Sequence, residues 1–186
     1  MKTAYTIQNF IDDALKILSE TKDELLVLAK LSPLVVRAAA DTGWIKNDMY
    51  HVDSNDGFGT TLLHEESDKS LFIVVDCWLP GRRVRPHEHG TWAVVVGVTG
   101  VEKNTFWERT DDRSTKGHAV LRKLQEHRVS VGDAITMKTG EIHSVENETN
   151  EVTLTFQVYG RHLNHTGRSQ FDIDEDLEIP FMIEMK

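Results

Sequence analysis

The stretch Gly81–Gly100, GRRVRPHEHGTWAVVVGVTG, decides how the rest of this 186-residue chain is read. Thr91, Trp92 and the valines Val94, Val95 and Val96 have the composition of a buried strand, and His87 and His89 stand two residues apart at its start. Alternate strand side chains share a face, so both imidazoles can aim at one point while Glu88 faces away. Paired imidazoles in a β-run are a metal-ligand pattern, because a neutral ring nitrogen is a good donor to divalent ions. A third ligand must then come from elsewhere.

Outward from this stretch, strand-like runs recur at 60–63, 71–79, 92–99, 102–108, 119–126, 134–136 and 151–159. Turn signals divide them: Asn55-Asp56-Gly57, Pro80-Gly81, Gly100, Asp111-Asp112, Gly132-Asp133 and Gly140. Many short strands broken by turns predict a sandwich, jelly roll or barrel. Upstream, residues from about 6 to 41 read as helical. Phe10, Ile11, Ala14, Leu15 and Leu18 form one apolar stripe, and Leu25, Leu26, Leu28, Ala29 and Leu31 a second. Ser32-Pro33 reads as the start of a third short helix over 34–40, stopping near Gly43. The expected fold class is mostly β, with a layer of short helices (1–43) packed on a barrel (44–186) as one structural domain. The acidic tail after Phe171 is expected to lie loosely along the outside.

Composition narrows the partners. The chain carries a net charge of −9, with 39% hydrophobic and 27% charged residues and no apolar run of membrane-spanning length. An acidic chain argues against nucleic acid and against an anionic membrane as partners. Its single cysteine, Cys77, excludes an internal disulfide. It reads as a buried thiol in a cytoplasmic protein. A small-molecule substrate is the expected partner, with a homodimer left open.

The second chemical stretch is Gly132–Asn147, GDAITMKTGEIHSVEN, in which His143 follows the Gly140 turn and precedes a strand beginning at Ser144-Val145. Gly81-x5-His87-x-His89 and Gly100, followed by Gly132, Gly140, His143 and Asn147, resemble the two-part pattern of the cupins across about half of the chain. That resemblance implies a cupin-type double-stranded β-barrel (jelly roll) with a metal in its mouth. Lys138 departs from the usual proline there. A second departure says more: where cupins commonly place a glutamate after the histidine pair, this chain has Ala93 or Val94. Three neutral ligands leave about three positions of an octahedron open, enough for a bidentate substrate and dioxygen.

Three histidines without the carboxylate resemble the cysteine dioxygenase family. Cys77-Trp78-Leu79-Pro80-Gly81, running into Pro86-His87-Glu88-His89-Gly90-Thr91-Trp92, and Val158-Tyr159-Gly160 are similar to its bacterial thiol dioxygenase branch. The resemblance implies Fe2+ held by His87, His89 and His143, with Ni2+, Mn2+ and Zn2+ as alternatives. It implies a small thiol oxidised by O2 to its sulfinate, and Tyr159 pointing its hydroxyl at the bound oxygen or substrate. The chain also departs from that family. The carboxylate-binding arginine is missing from Phe58-Gly59-Thr60-Thr61-Leu62-Leu63, and Thr155 and Gln157 stand where a serine and a histidine precede the tyrosine. Glutamine hydrogen-bonds but cannot exchange a proton as imidazole does. Replacement clamps are sought in Arg161 and Arg168, in His64 on the strand that otherwise bears the clamp, and in Gln157 and Trp92. Arg82, Arg83 and Arg85 read as a solvated loop, and Glu141 as a solvated turn carboxylate. Two further readings stand beside the thiol dioxygenase. One is a three-histidine cupin that cleaves a carbon–carbon bond of a diketone; the other is a non-catalytic cupin that binds a metal or small molecule.

Overall fold

The computed structural model describes residues 5–52 and 57–183; Asn55 and Asp56 of the first turn signal lie outside them. Helices α1 (Ile7–Glu20) and α2 (Glu24–Ala40) come first. They precede β1 (Phe58–Glu65), β2 (Phe72–Trp78), β3 (Arg83–His87), β4 (Ala93–Thr99), β5 (Glu102–Arg109) and β6 (Leu121–Val129). Then come β7 (Ala134–Met137), β8 (Ile142–Glu146), β9 (Thr153–Tyr159), β10 (Ser169–Asp172) and β11 (Leu177–Pro180).

The strands form two sheets, ordered β1-β2-β9-β4-β7 and β11-β10-β3-β8-β5-β6, and every ladder between them is antiparallel. From β2 to β9 the chain changes sheet at each connection except the β5–β6 hairpin. That path is a jelly roll, the double-stranded β-helix. The turn residues fix where the chain reverses, and the reversals fix which strands face each other.

The central strands β2, β9 and β4 of the first sheet are buried on both faces, for two different purposes. Outward-facing Ile73, Val75, Val94, Val96, Leu154, Phe156 and Val158 pack against Phe10, Val27, Leu31, Val35 and Ala38 of the helices. Phe156 sits fully buried between Phe10 (ring centroids 5.8 Å apart) and Trp44 (5.3 Å). This helix–sheet layer is the larger apolar core, and each fully buried side chain in it contributes about 1.5–3 kcal/mol. The inward face carries a smaller cluster, Phe72, Val74, Ala93, Val95, Met137 and Tyr159. Because so much apolar burial lies outside the barrel, the barrel interior is free to hold polar groups.

Three expectations are corrected here. The second and third helices are one, α2, which runs through Pro33. Proline forfeits a backbone donor, but Leu31, Val35, Ala38 and Ala39 are buried on the same side and hold the helix together across it. The arginine loop is not a loop: Arg83–His87 is strand β3, paired with β8 and β10. Its arginines face solvent, and Arg85 reaches Asp172 at 2.6 Å, so the segment reads as polar. Nor is the tail loose. It forms the β10–β11 hairpin on the edge of the second sheet. Ile183 is tied to Asn164 by two hydrogen bonds of 2.8 and 3.0 Å.

Candidate metal centre

His87 ends β3, and His89 follows in the turn, so the pair stands ahead of the Trp92 strand, at the barrel mouth. The turn needs Gly90: its φ is 63°, and a Cβ there would lie 2.7 Å from the Thr166 side chain. His143 lies on β8 directly across from His87 in the ladder, so the two strands supply the convergence. All three rings are buried, and their ligand atoms lie within 4.8 Å of one another.

Hydrogen bonds settle the tautomers. His87 Nδ1 lies 2.9 Å from the Arg85 carbonyl, and His143 Nδ1 lies 2.8 Å from Asn104 Oδ1. A carbonyl oxygen only accepts, so each Nδ1 carries the proton and each Nε2 presents a lone pair. His143 Nε2 lies 3.1 Å from His89 Nε2. With the His89 proton on Nε2 this is an N–H···N hydrogen bond; with it on Nδ1 two lone pairs converge and call for a cation between them. A proton is a poor candidate, since burial, reinforced by Arg168, pushes His87 down to about 3. Burial also holds His89 and His143 well below the ordinary range. The donor set therefore fits a divalent metal. Among the described residues no carboxylate joins it. Ala93 occupies the inward position paired with Tyr159.

The three histidines open into a cavity of about 40 Å³, also lined by Thr60, Asp76, Gln157, Tyr159, Arg168 and Phe181. That is space for a few water-sized groups. Tyr159 lies on the inner face of β9, its ring centroid 4.9 Å from that of His89, and its hydroxyl donates to Gln157 Oε1. Gln157 in turn donates to Thr155 at 2.8 Å. Burial holds the Tyr159 phenol well above its usual range, so it stays protonated. Asp76, whose surface faces the cavity, accepts from Thr60 at 2.7 Å, and burial pushes it up to about 6.

Arg168 is 3% exposed, and its Nε and Nη2 have no hydrogen-bond partner. Its guanidinium lies 4.1 Å from the Phe181 ring centroid. Burial lowers its pKa to about 10, which leaves it a cation at neutral pH. Asp76, on the same cavity, balances its charge through space without a hydrogen bond, so the Arg168 Nε and Nη2 donors are left for a ligand.

The structure thus gathers His87, His89, His143, Tyr159, Gln157 and Arg168 around one cavity and leaves three expected residues outside it. Arg161 is exposed. His64 turns to Glu66, 2.7 Å away. Trp92 belongs to the outer core, packed against Gly160, where a Cβ would meet its Nε1 at 2.4 Å. Glu141 stays at the turn and accepts from the Lys138 backbone at 2.7 Å. Asp76, Glu102, Asn104 and Phe181 went unnoticed in the sequence. The polar residues at alternate positions of predicted strands, Glu102 and Asn104 above all, were the available signal.

No family model matches the chain, and no curated protein matches it. Among solved structures, it is similar to an uncharacterized conserved protein with a double-stranded β-helix domain from Klebsiella pneumoniae. The two are 16% identical over 71% of this chain and 99% of the other, with a TM-score of 0.48. It is similar to a cupin superfamily protein from Desulfitobacterium hafniense, at 14% identity over 60% of this chain and 84% of that one, with a TM-score of 0.44. It is also similar to an oxalate oxidase in complex with the substrate analogue glycolate. There the identity is 12%, over 65% of this chain and 63% of the other, with a TM-score of 0.44.

Proposed function

We propose that this chain is a mononuclear non-haem Fe2+ dioxygenase that oxidises a small thiol bearing a carboxylate to its sulfinate. One observation carries the reading: a buried guanidinium with two unpartnered N–H groups shares a small cavity with three converging imidazoles. A ligand with a thiolate at one end and a carboxylate at the other satisfies both. A neutral diketone offers the two unpartnered Arg168 N–H groups no anionic acceptor.

Overall, a thiolate and one O2 become a sulfinate: both oxygen atoms end on sulfur, which gives up the four electrons that dioxygen gains. Bound by His87, His89 and His143, Fe2+ would supply the redox chemistry and the adjacent positions at which thiolate and dioxygen meet. The chain's own residues do the rest. Arg168 would bind the carboxylate through two parallel N–H bonds and so set the distance of the sulfur from the histidines. Tyr159, kept protonated by burial, cannot serve as a base and acts as an oriented dipole beside the histidines. Because Gln157 cannot carry a proton, the Tyr159–Gln157–Thr155 arm orients the hydroxyl without relaying charge. Leu163, Phe181 and Ile183 give the cavity an apolar side.

The test is oxygen uptake by the Fe2+-loaded protein with cysteine, 3-mercaptopropionate, cysteamine and acetylacetone. Uptake with a thiol carboxylate, a sulfinate product and a much weaker response to cysteamine is the expected result. Uptake with acetylacetone alone would move the protein to carbon–carbon cleavage. Absence of uptake with all four would replace the enzyme by a binding protein.

A further inference from the structure

Glu102 opens β5, is 1% exposed, and has no part in the chemistry above. Its two oxygens end two hydrogen-bonded arms. On one, Asn104 Nδ2 donates to Oε1 at 2.9 Å, and Asn104 Oδ1 accepts from His143 Nδ1 at 2.8 Å. On the other, the Thr155 hydroxyl donates to Oε2 at 3.0 Å, Gln157 Nε2 donates to Thr155 Oγ1 at 2.8 Å, and the Tyr159 hydroxyl donates to Gln157 Oε1. Every donor in both arms points toward Glu102.

That direction follows from the carboxylate. Ionised, it only accepts, so Asn104 must show it the amide NH2 and turn its carbonyl to His143. A carbonyl facing His143 requires the proton on Nδ1, which leaves the Nε2 lone pair toward the other histidines. Likewise Thr155 must give its proton to Glu102, which makes Thr155 Oγ1 the acceptor for Gln157. Gln157 therefore has only its carbonyl left for Tyr159.

We propose that Glu102 is a positioning residue for this centre, fixing the Nδ1–H tautomer of His143 and the donor sense of Tyr159 by accepting from both arms at once. The Tyr159 half rests on the oxygenase reading; the His143 half concerns metal holding alone. The groups that face Glu102 are Asn104 on its own strand and Thr155 on β9. From β2 come Asp76 and the Trp78 indole, whose N–H lies near without completing a hydrogen bond. Burial pushes Glu102 up to about 7, opposed by Asn104 and Thr155, so the ionised form that polarises the arms prevails above neutrality.

The test uses metal-free protein and two readouts, the 15N shifts of the His143 ring and the affinity for Co2+. In Glu102→Ala, His143 should become a tautomer mixture and Co2+ affinity should fall about 10- to 100-fold, as for other partners of ligating histidines. Thr155→Val cuts only the tyrosine arm, so it should leave the His143 tautomer and Co2+ affinity as they are. Glu102→Gln preserves shape and guards against an unfolded alanine variant. One donor and one acceptor can serve only one arm in its present sense, so either the His143 pattern or the Gln157 side-chain amide resonances must change. Retention of the Nδ1–H tautomer and of Co2+ affinity in Glu102→Ala, or both patterns unchanged in Glu102→Gln, would overturn the proposal. Neither thiol nor dioxygen enters these measurements, so a failed oxygenase assay and a failed Glu102 test are separate results.

Discussion

Replacing Arg168 by methionine separates its role toward a ligand from its role in the fold. The side chain is 3% exposed, and its fall from the ordinary arginine range to about 10 corresponds to roughly 3 kcal/mol of unfavourable burial of the cation. Against that stands its position over the Phe181 ring, worth about 1–2 kcal/mol, and the packing that methionine largely preserves. The two nearly cancel, so the variant should melt close to the parent or somewhat above it. Binding should respond very differently. Truncating one partner of a buried charge pair costs about 2–5 kcal/mol, or about 30-fold to several thousand-fold. The assay is kcat/KM for 3-mercaptopropionate and for cysteamine on the Fe2+-loaded variant and parent, beside a thermal melt of each. The carboxylate thiol should lose that factor, while cysteamine, which offers no anion to the guanidinium, should hold or improve. Equal losses for the two thiols would refute the clamp, as would a loss confined to a variant that melts far lower.

Other outcomes follow from the same geometry. Asn104→Leu removes the acceptor for His143 Nδ1, so Co2+ affinity should drop about 10- to 100-fold with the fold intact, measured by titration and circular dichroism. Phe156→Ala empties the contact between helices and sheet and should cost about 3–5 kcal/mol by urea unfolding, with metal affinity little changed in the folded protein. A pH series checks Glu102. Burial raises its carboxyl from the ordinary 4.5 to about 7, so the folded chain holds a proton that the unfolded chain releases in between. Stability from this group is present below about 4.5 and is lost as pH rises through about 7, by up to about 3 kcal/mol. Glu102→Gln should flatten that part of the stability–pH curve of the metal-free protein; a curve superimposable on the parent's would show that the carboxyl does not titrate there.

Local pattern carried the architecture and the ligands. Turn residues at Pro80-Gly81, Gly100, Gly132-Asp133 and Gly140 fall between strands because backbone reversal is a short-range demand. Apolar periodicity marked the buried faces of α1 and of the inner strands for the same reason, but not that of α2, where the expected Leu25, Leu26 and Ala29 are exposed and Val27 is buried instead. His87 and His89 were legible as a pair from their spacing, although His89 lies in the turn after β3 and not on a strand, and His143 because its own turn and strand frame it. Those features needed no knowledge of what lay opposite. The groups that make this barrel interior particular did need it. Asn104 meets His143 across 39 residues, and Glu102 meets Thr155 across 53. Arg168 gains its meaning only when the segment after β9 returns to the cavity and Phe181 of the terminal segment closes over it. Strand β3 stayed hidden among arginines because Arg83 and Arg85, at alternate positions, face solvent although the strand is paired on both sides. Sequence records which side chain a position offers; whether a buried carboxylate finds two donors, or a guanidinium finds none, is settled by which strands the two sheets bring face to face.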